Sequence, residues 1–249
     1  KQKIIAYGVS VFTVIFLFCV ASGMNENNET METSANTGKL LPIYNVKTEE
    51  NKVALTMNCA WNADDVDSIL ETLKNNNVKI TFFVVGDWLD KYPEAAKQIA
   101  EAGNEIASHS NTHPKVANLS YEENVKEIKE SVEKIEKITG QKTKLYRPPY
   151  GEYNNTVISA AQDNGYKVIQ WNLDTLDYTG LTGDKMWKRI EKAKAGDIIL
   201  SHNGTEHTAD SLDMIIKNIK QKGLEIVKVS DLIYKENYEI NFNGTQIKN

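Results

Sequence analysis

Two imidazoles stand four residues apart in His109-Ser110-Asn111-Thr112-His113, within one local turn. That spacing suits two ligands of a Zn²⁺-type ion, with further positions left for a carboxylate and water. A third histidine, His202, closes the apolar run Ile198-Ile199-Leu200-Ser201 and is a candidate general acid or base, because imidazole titrates near neutrality. Asp174, in Trp171-Asn172-Leu173-Asp174, can orient an imidazole, whereas Asp177 reads as a cap of the turn that follows. Arg147-Pro148-Pro149-Tyr150-Gly151 sets a permanent cation on a stiff turn and offers the backbone N–H groups of Tyr150 and Gly151 to a developing oxyanion. His207, just before Thr208, reads as a helix-start residue.

The elements that must carry these groups alternate in type. Apolar runs at 52–57, 78–85, 105–108, 144–146, 166–171, 197–201 and 225–227 read as strands. Between them, amphipathic stretches at 66–73, 92–102, 120–138, 155–164, 185–193 and 211–222 read as helices. Ser120 with Glu123 makes a capping box at the start of the third helix, and Gly140 stops it. Such βα alternation predicts a mainly parallel sheet in a distorted, seven-stranded (β/α) barrel of the α/β class. Functional groups of such folds gather at the carboxyl ends of the strands. Asn58-Cys59, His109, Arg147, Asp174 and His202 each follow a strand directly, so five strands aim polar groups at one rim.

The chain has 249 residues, with 29 Lys and Arg against 34 Asp and Glu, a net charge of −5 that excludes a nucleic-acid-binding surface. Its start is a membrane signal. Lys1 and Lys3 precede an uncharged run from 4 to 25 that is long for a cleaved signal peptide and close to a bilayer span, and Glu26 and Glu29 follow it. The expectation is a single-pass anchor over 1–24 in the cell membrane with the rest outside the cytoplasm, the alternative being secretion after cleavage. A polar tether at 25–40, a catalytic-type domain at 41–234 and a tail at 235–249 complete the division. Cys19 falls in the anchor and Cys59 in the exported domain, so the two are not expected to pair.

With these residues in place the chain resembles the polysaccharide deacetylase family, the NodB-homology domain of carbohydrate esterase family 4, over roughly 51–234. The resemblance rests on Ala54-Leu55-Thr56, Thr81-Phe82-Phe83-Val84-Val85-Gly86, His109-Ser110-x-x-His113, Arg147-x-x-Tyr150-Gly151, Trp171-x-x-Asp174 and Leu200-Ser201-His202. The anchored layout and Ala60-Trp61 are most similar to the sporulation and cell-wall branch of Gram-positive bacteria. The resemblance implies removal of acetyl groups from N-acetylglucosamine or N-acetylmuramic acid units of a cell-wall glycan. It implies a divalent metal, zinc first with cobalt or nickel as alternatives, on His109 and His113. It further implies His202 as the acid that protonates the leaving amine, Asp174 supporting it, Arg147 tuning the charged cluster, and the Tyr150 N–H facing the oxyanion. No obligate protein partner follows.

The first motif departs from the family, which usually has Thr-Phe-Asp-Asp where this chain has Thr56-Met57-Asn58-Cys59. Asn58 stands at the position of the general base, and an amide does not accept a proton near neutral pH. Cys59 stands where the third metal ligand belongs; Cys59, Asp64 or Asp65, and no third protein ligand at all are three open alternatives. An active deacetylase with a substitute base such as Asp65 or His202 is therefore one reading. A pseudoenzyme that binds wall glycan is the second, and an esterase the third.

Overall fold

The computed structural model describes residues 38–249, so the anchor at 1–24, Cys19 and the tether up to residue 37 lie outside the described residues. Among the described residues no helix is long and apolar enough to cross a membrane.

The central strand β2 (Lys52–Cys59) is buried on both faces. That explains its near-continuous apolar run, since a parallel sheet covered on both sides has no polar face. Side chains alternate along it: Val53, Leu55, Met57 and Cys59 enter the main hydrophobic cluster, while Thr56 and Asn58 point the other way, to Arg147. β2 pairs in parallel with β3 (Thr81–Val84) on one side and β8 (Ile198–His202) on the other. Beyond β3 follow β4 (Glu105–Ser108), β5 (Leu145–Tyr146) and β6 (Lys167–Val168), and beyond β8 lies β7 (Leu173–Asp174). All these pairs are parallel, and β9 (Glu225–Val227) joins the start of β2. Seven strands in line curl into a half-barrel, which bears out the (β/α) expectation.

The outer layer holds α1 (Val66–Asn75), α2 (Gly86–Lys91), α3 (Pro93–Glu101), α4 (Tyr121–Thr139), α5 (Asn155–Gln162), α6 (Gly183–Ile190), α7 (Thr208–Gln221) and the short α8 (Val229–Leu232). α4 begins with the Ser120–Glu123 capping box and ends on Gly140, whose φ of 72° is the left-handed value that stops a helix. Two elements differ from the sequence reading. The helix expected at 92–102 is preceded by α2, which is only six residues long and starts on Gly86, where a Cβ would lie 2.1 Å from the side-chain oxygen of Asn111. The tail forms a hairpin, β10 (Tyr238–Ile240) and β11 (Thr245–Lys248).

The hairpin has a structural task. β11 pairs in parallel with β1 (Asn45–Val46), and the segment around β1 lies in the open seam of the half-barrel. Ile43 bridges to Ile169 beyond β6, Asn45 bridges to Asp197 before β8, and the Val46 N–H donates to the Gly196 carbonyl at 2.9 Å.

Candidate active site

The carboxyl ends of the strands surround a cleft of about 400 Å³ lined by Asn58, Trp61, His109, His113, Tyr150, Trp171, Asp174, Tyr178, Leu200 and His202. That volume lies in the range of small-molecule sites. The structure thus brings together Asn58, both histidines of the His-x-x-x-His turn, Tyr150, Asp174 and His202, with Arg147 buried directly beneath Asn58.

His109 follows β4, and its Nδ1 lies 2.8 Å from the Arg147 carbonyl oxygen. A carbonyl only accepts, so Nδ1 carries the hydrogen and Nε2 is the ring's acceptor. His113 packs against it at 4.9 Å between ring centroids and meets Tyr150 at 4.6 Å. The turn between them is contorted, with Ser110 at φ 67° and His113 at φ 58°. α4 holds it in that shape: the Glu127 carboxylate accepts the N–H of Asn111, the N–H of Thr112 and the Thr112 hydroxyl, each at 2.8 Å, and Glu130 accepts the Asn111 amide at 2.9 Å. These two glutamates went unread in the sequence; their signal is a pair of acids at i, i+3 on one face of the capped helix.

Burial drives the His109 pKa well below its ordinary value, with His113 adding to the effect and the Arg147 carbonyl opposing it; burial lowers His113 as well. In the unfolded chain both titrate near about 6.5, so below that pH the unfolded state binds protons that the fold refuses. Stability is therefore complete above the unfolded value and falls as pH drops toward the lower folded values. For the fully buried His109 we expect a loss approaching about 1.4 kcal/mol per pH unit. Urea unfolding in EDTA from about pH 7.5 to about pH 5 measures it. His109→Gln is expected to flatten most of the slope; an unchanged slope in that variant would show that the imidazole is not its source.

His202 ends β8 and is oriented by Asp177, not by Asp174. Asp177 is fully buried and accepts from His202 twice, from the ring Nδ1 at 2.8 Å and the backbone N–H at 2.6 Å. It also accepts from the Thr208 hydroxyl at 2.8 Å and the Tyr178 N–H at 2.9 Å. Leu176, at φ 53°, turns the chain back after β7 and so carries Asp177 rather than Asp174 beneath the imidazole. Asp174 lines the cleft and accepts the Leu176 N–H at 2.8 Å; burial raises its carboxyl, opposed by that bond and by His202.

Arg147 is 0% exposed, lies 3.8 Å from the Phe83 ring centroid, and donates to the Thr56 hydroxyl, the Asn58 Oδ1 and the Gln170 carbonyl at 3.0, 2.9 and 3.1 Å. All three acceptors are neutral, and among the described residues its Nε finds no partner. Burial works against the charged guanidinium, and the field of Asp174 favours it. The expected pair of oxyanion donors is also altered, because the Gly151 N–H points back to the Pro148 carbonyl at 3.4 Å. Tyr150, at φ 59° and 61% exposed, forms part of the cleft wall.

Residues 45–169 match the family model described as Polysaccharide deacetylase. The chain belongs to the polysaccharide deacetylase family. Among relatives of this deacetylase-family chain, an uncharacterized Bacillus subtilis protein, YlxY, is 33% identical over 77% of this chain, which spans 60% of that protein's length. The peptidoglycan-N-acetylglucosamine deacetylase of Bacillus cereus is 31% identical, covering 73% of this chain and 68% of its own length. A CE4 family pseudoenzyme from Bacillus anthracis superposes with a TM-score of 0.74 at 34% identity, covering 77% of this chain and 68% of the other; a mutant of that protein is described as having restored enzymatic activity.

The metal that the resemblance implies would be held by His109 and His113, and among the described residues no third protein ligand stands beside them. Neither alternative third ligand joins His109 and His113. Cys59 sits on the opposite face of β2, fully buried in the hydrophobic cluster, and burial pushes its thiol well up. Asp64 is exposed and outside the cleft. Asp65 is bonded to the loop after β8, accepting the Gly204 N–H at 2.7 Å and the Asn203 amide at 3.2 Å, and does not line the cleft. Asn58 turns its oxygen to Arg147. Among the described residues no three His, Cys, Asp or Glu side chains cluster as a cation would require.

Proposed function

We propose that the chain binds N-acetylated cell-wall glycan in this cleft and hydrolyses its acetyl groups slowly or not at all. One observation carries the reading: the two positions that should hold the base and the third ligand hold an amide bonded to Arg147 and a thiol buried in the core. The walls of the cleft, by contrast, are suited to a sugar. Trp61 is 49% exposed and lies 5.3 Å from the His202 ring at an interplanar angle of 33°, and Tyr178, 50% exposed, meets the same ring edge-on at 5.4 Å. Their free faces can stack on the apolar face of a pyranose. The loop that carries Trp61 is fixed, because the Asn62 carbonyl accepts from the Trp88 indole at 3.0 Å and the Asn203 amide at 2.6 Å. A place on the outer face of the cell membrane, through the 1–24 segment, would bring the cleft to wall glycan.

Trp61→Ala is expected to weaken binding of N-acetylchitotetraose about tenfold, measured by titration calorimetry, while leaving the fold intact. The function itself is tested by assaying acetate release from peptidoglycan and chitooligosaccharides beside binding of the same glycans. Wild type is expected to bind these glycans and to release acetate about 10²-fold more slowly than Asn58→Asp. Failure of wild type to bind any of these glycans overturns the reading.

A second reading, divalent-metal-dependent deacetylation with zinc on His109 and His113, draws its support from the intact His202–Asp177 pair, which a pure binder has no need to keep. Zinc-dependent acetate release by wild type, lost in His109→Ala, would establish it.

A further inference from the structure

We infer that Asn58 is a hydrogen-bond donor to the ligand, and that the cleft thereby reads acetylation state, taking N-acetylated glycan in preference to its free-amine form. The inference rests on the glycan-binding reading and goes one step further. Arg147 is a donor with no acceptor capacity, so its contact at 2.9 Å fixes which end of the Asn58 amide is oxygen. The nitrogen Nδ2 must then point away from the guanidinium. Asn58 is only 4% exposed and lines the cleft, and among the described residues its Nδ2 donates to no protein acceptor. Nor is that nitrogen one of the partnerless polar atoms sealed inside the protein, so its free N–H bonds open on the cleft. A donor desolvated to this degree gains most from an acceptor brought by the ligand.

An N-acetyl group supplies that acceptor in its carbonyl oxygen. A deacetylated sugar supplies an ammonium, which is donor-only and meets N–H against N–H. Its charge also approaches the buried Arg147 cation next to Asn58. Asp174 acts in the opposite sense, since its carboxylate lines the same cleft and favours a cation, although one of its oxygens is committed to the Leu176 N–H. His109, with Nδ1 committed to the Arg147 carbonyl, keeps Nε2 as an acceptor suited to the amide N–H of the same N-acetyl group.

Titration calorimetry in mildly acidic buffer with EDTA, with acetate monitored so that the ligand is known to stay intact, compares N-acetylchitotetraose with fully de-N-acetylated chitotetraose. Wild type is expected to prefer the acetylated form about tenfold, the discrimination of a site whose buried donor is left unpaired by the wrong ligand. Asn58→Asp keeps the size and the acceptor facing Arg147 but turns the donor into an acceptor, so the preference is expected to vanish or reverse. Equal affinity of wild type for the two sugars, or the same preference in Asn58→Asp, overturns the inference and leaves the glycan-binding reading standing. Binding of neither sugar overturns both.

Discussion

Asn58→Asp is expected to stabilise the protein by about 1–3 kcal/mol and to raise acetate release by about 10²-fold over wild type. Both effects start at the same contact. The wild-type fold already bears the desolvation of Arg147, whose charge meets only neutral acceptors. A carboxylate 2.9 Å from that guanidinium gains an ion-paired, charge-assisted hydrogen bond, set against desolvation of a single new charge. For a domain of this size the gain corresponds to a rise in melting temperature of about 2–10 °C. The guanidinium holds the new carboxyl below its ordinary value of about 3.9, so the gain is present at neutral pH and is lost as pH falls through the lower folded value. The second oxygen of the carboxylate faces the cleft and can take a proton from an attacking water, a role worth about 10²–10⁴-fold; we expect the low end because Cys59 remains in the core. Melting curves at neutral pH and below pH 4 and an acetate assay measure the two effects separately. A variant no more stable than wild type at neutral pH would mean that Arg147 is not held as an uncompensated cation.

Asp177→Ala is expected to cost about 3–5 kcal/mol, the largest loss among the cleft residues. The carboxylate is fully buried and takes four donors from three segments: the ring and backbone of His202, the hydroxyl of Thr208 at the start of α7, and the Tyr178 N–H. Truncation leaves these donors without an acceptor in a volume that water must first enter. Asp177→Asn keeps one oxygen and is expected to lose roughly half as much, because its NH₂ must then face a donor. Urea denaturation of the three proteins gives the order, and a loss below about 1 kcal/mol for Asp177→Ala would remove this residue as the anchor of His202. In a glycan-binding assay both variants are expected to lose affinity, since Trp61 and Tyr178 pack against the imidazole that Asp177 orients.

The strands and long helices were legible because their periodicity is a direct record of burial: β2 is buried on both faces and reads as an apolar run, and α4 carries its start and stop in Ser120, Glu123 and Gly140. The rim was legible for a related reason, since a polar residue directly after such a run has only the cleft to occupy. Cys59 stayed open as a ligand although the alternation that turns it away was available: Asn58 and Cys59 cannot both face the cleft when side chains along a strand alternate. Asp177 was not legible, because its place depends on a left-handed Leu176 in a turn with no glycine. The contacts from Glu127 to the histidine turn cross between elements and leave no local mark beyond the spacing of two acids. The tail hairpin did carry a signal in Asn243-Gly244, a pair that favours tight turns between strands.

The parallel pairing of β1 with β11 joins Asn45 to Thr245, almost the two ends of the described chain. Because the β1 segment also lies in the seam between Ile169 and Asp197, the piece of chain that closes the half-barrel is itself held by β11. A contact so distant in sequence forms late, after local helices and neighbouring parallel strands have condensed. A truncation that removes β11 (Thr245–Lys248) would therefore strip β1 of its partner and leave that edge free to pair with another molecule.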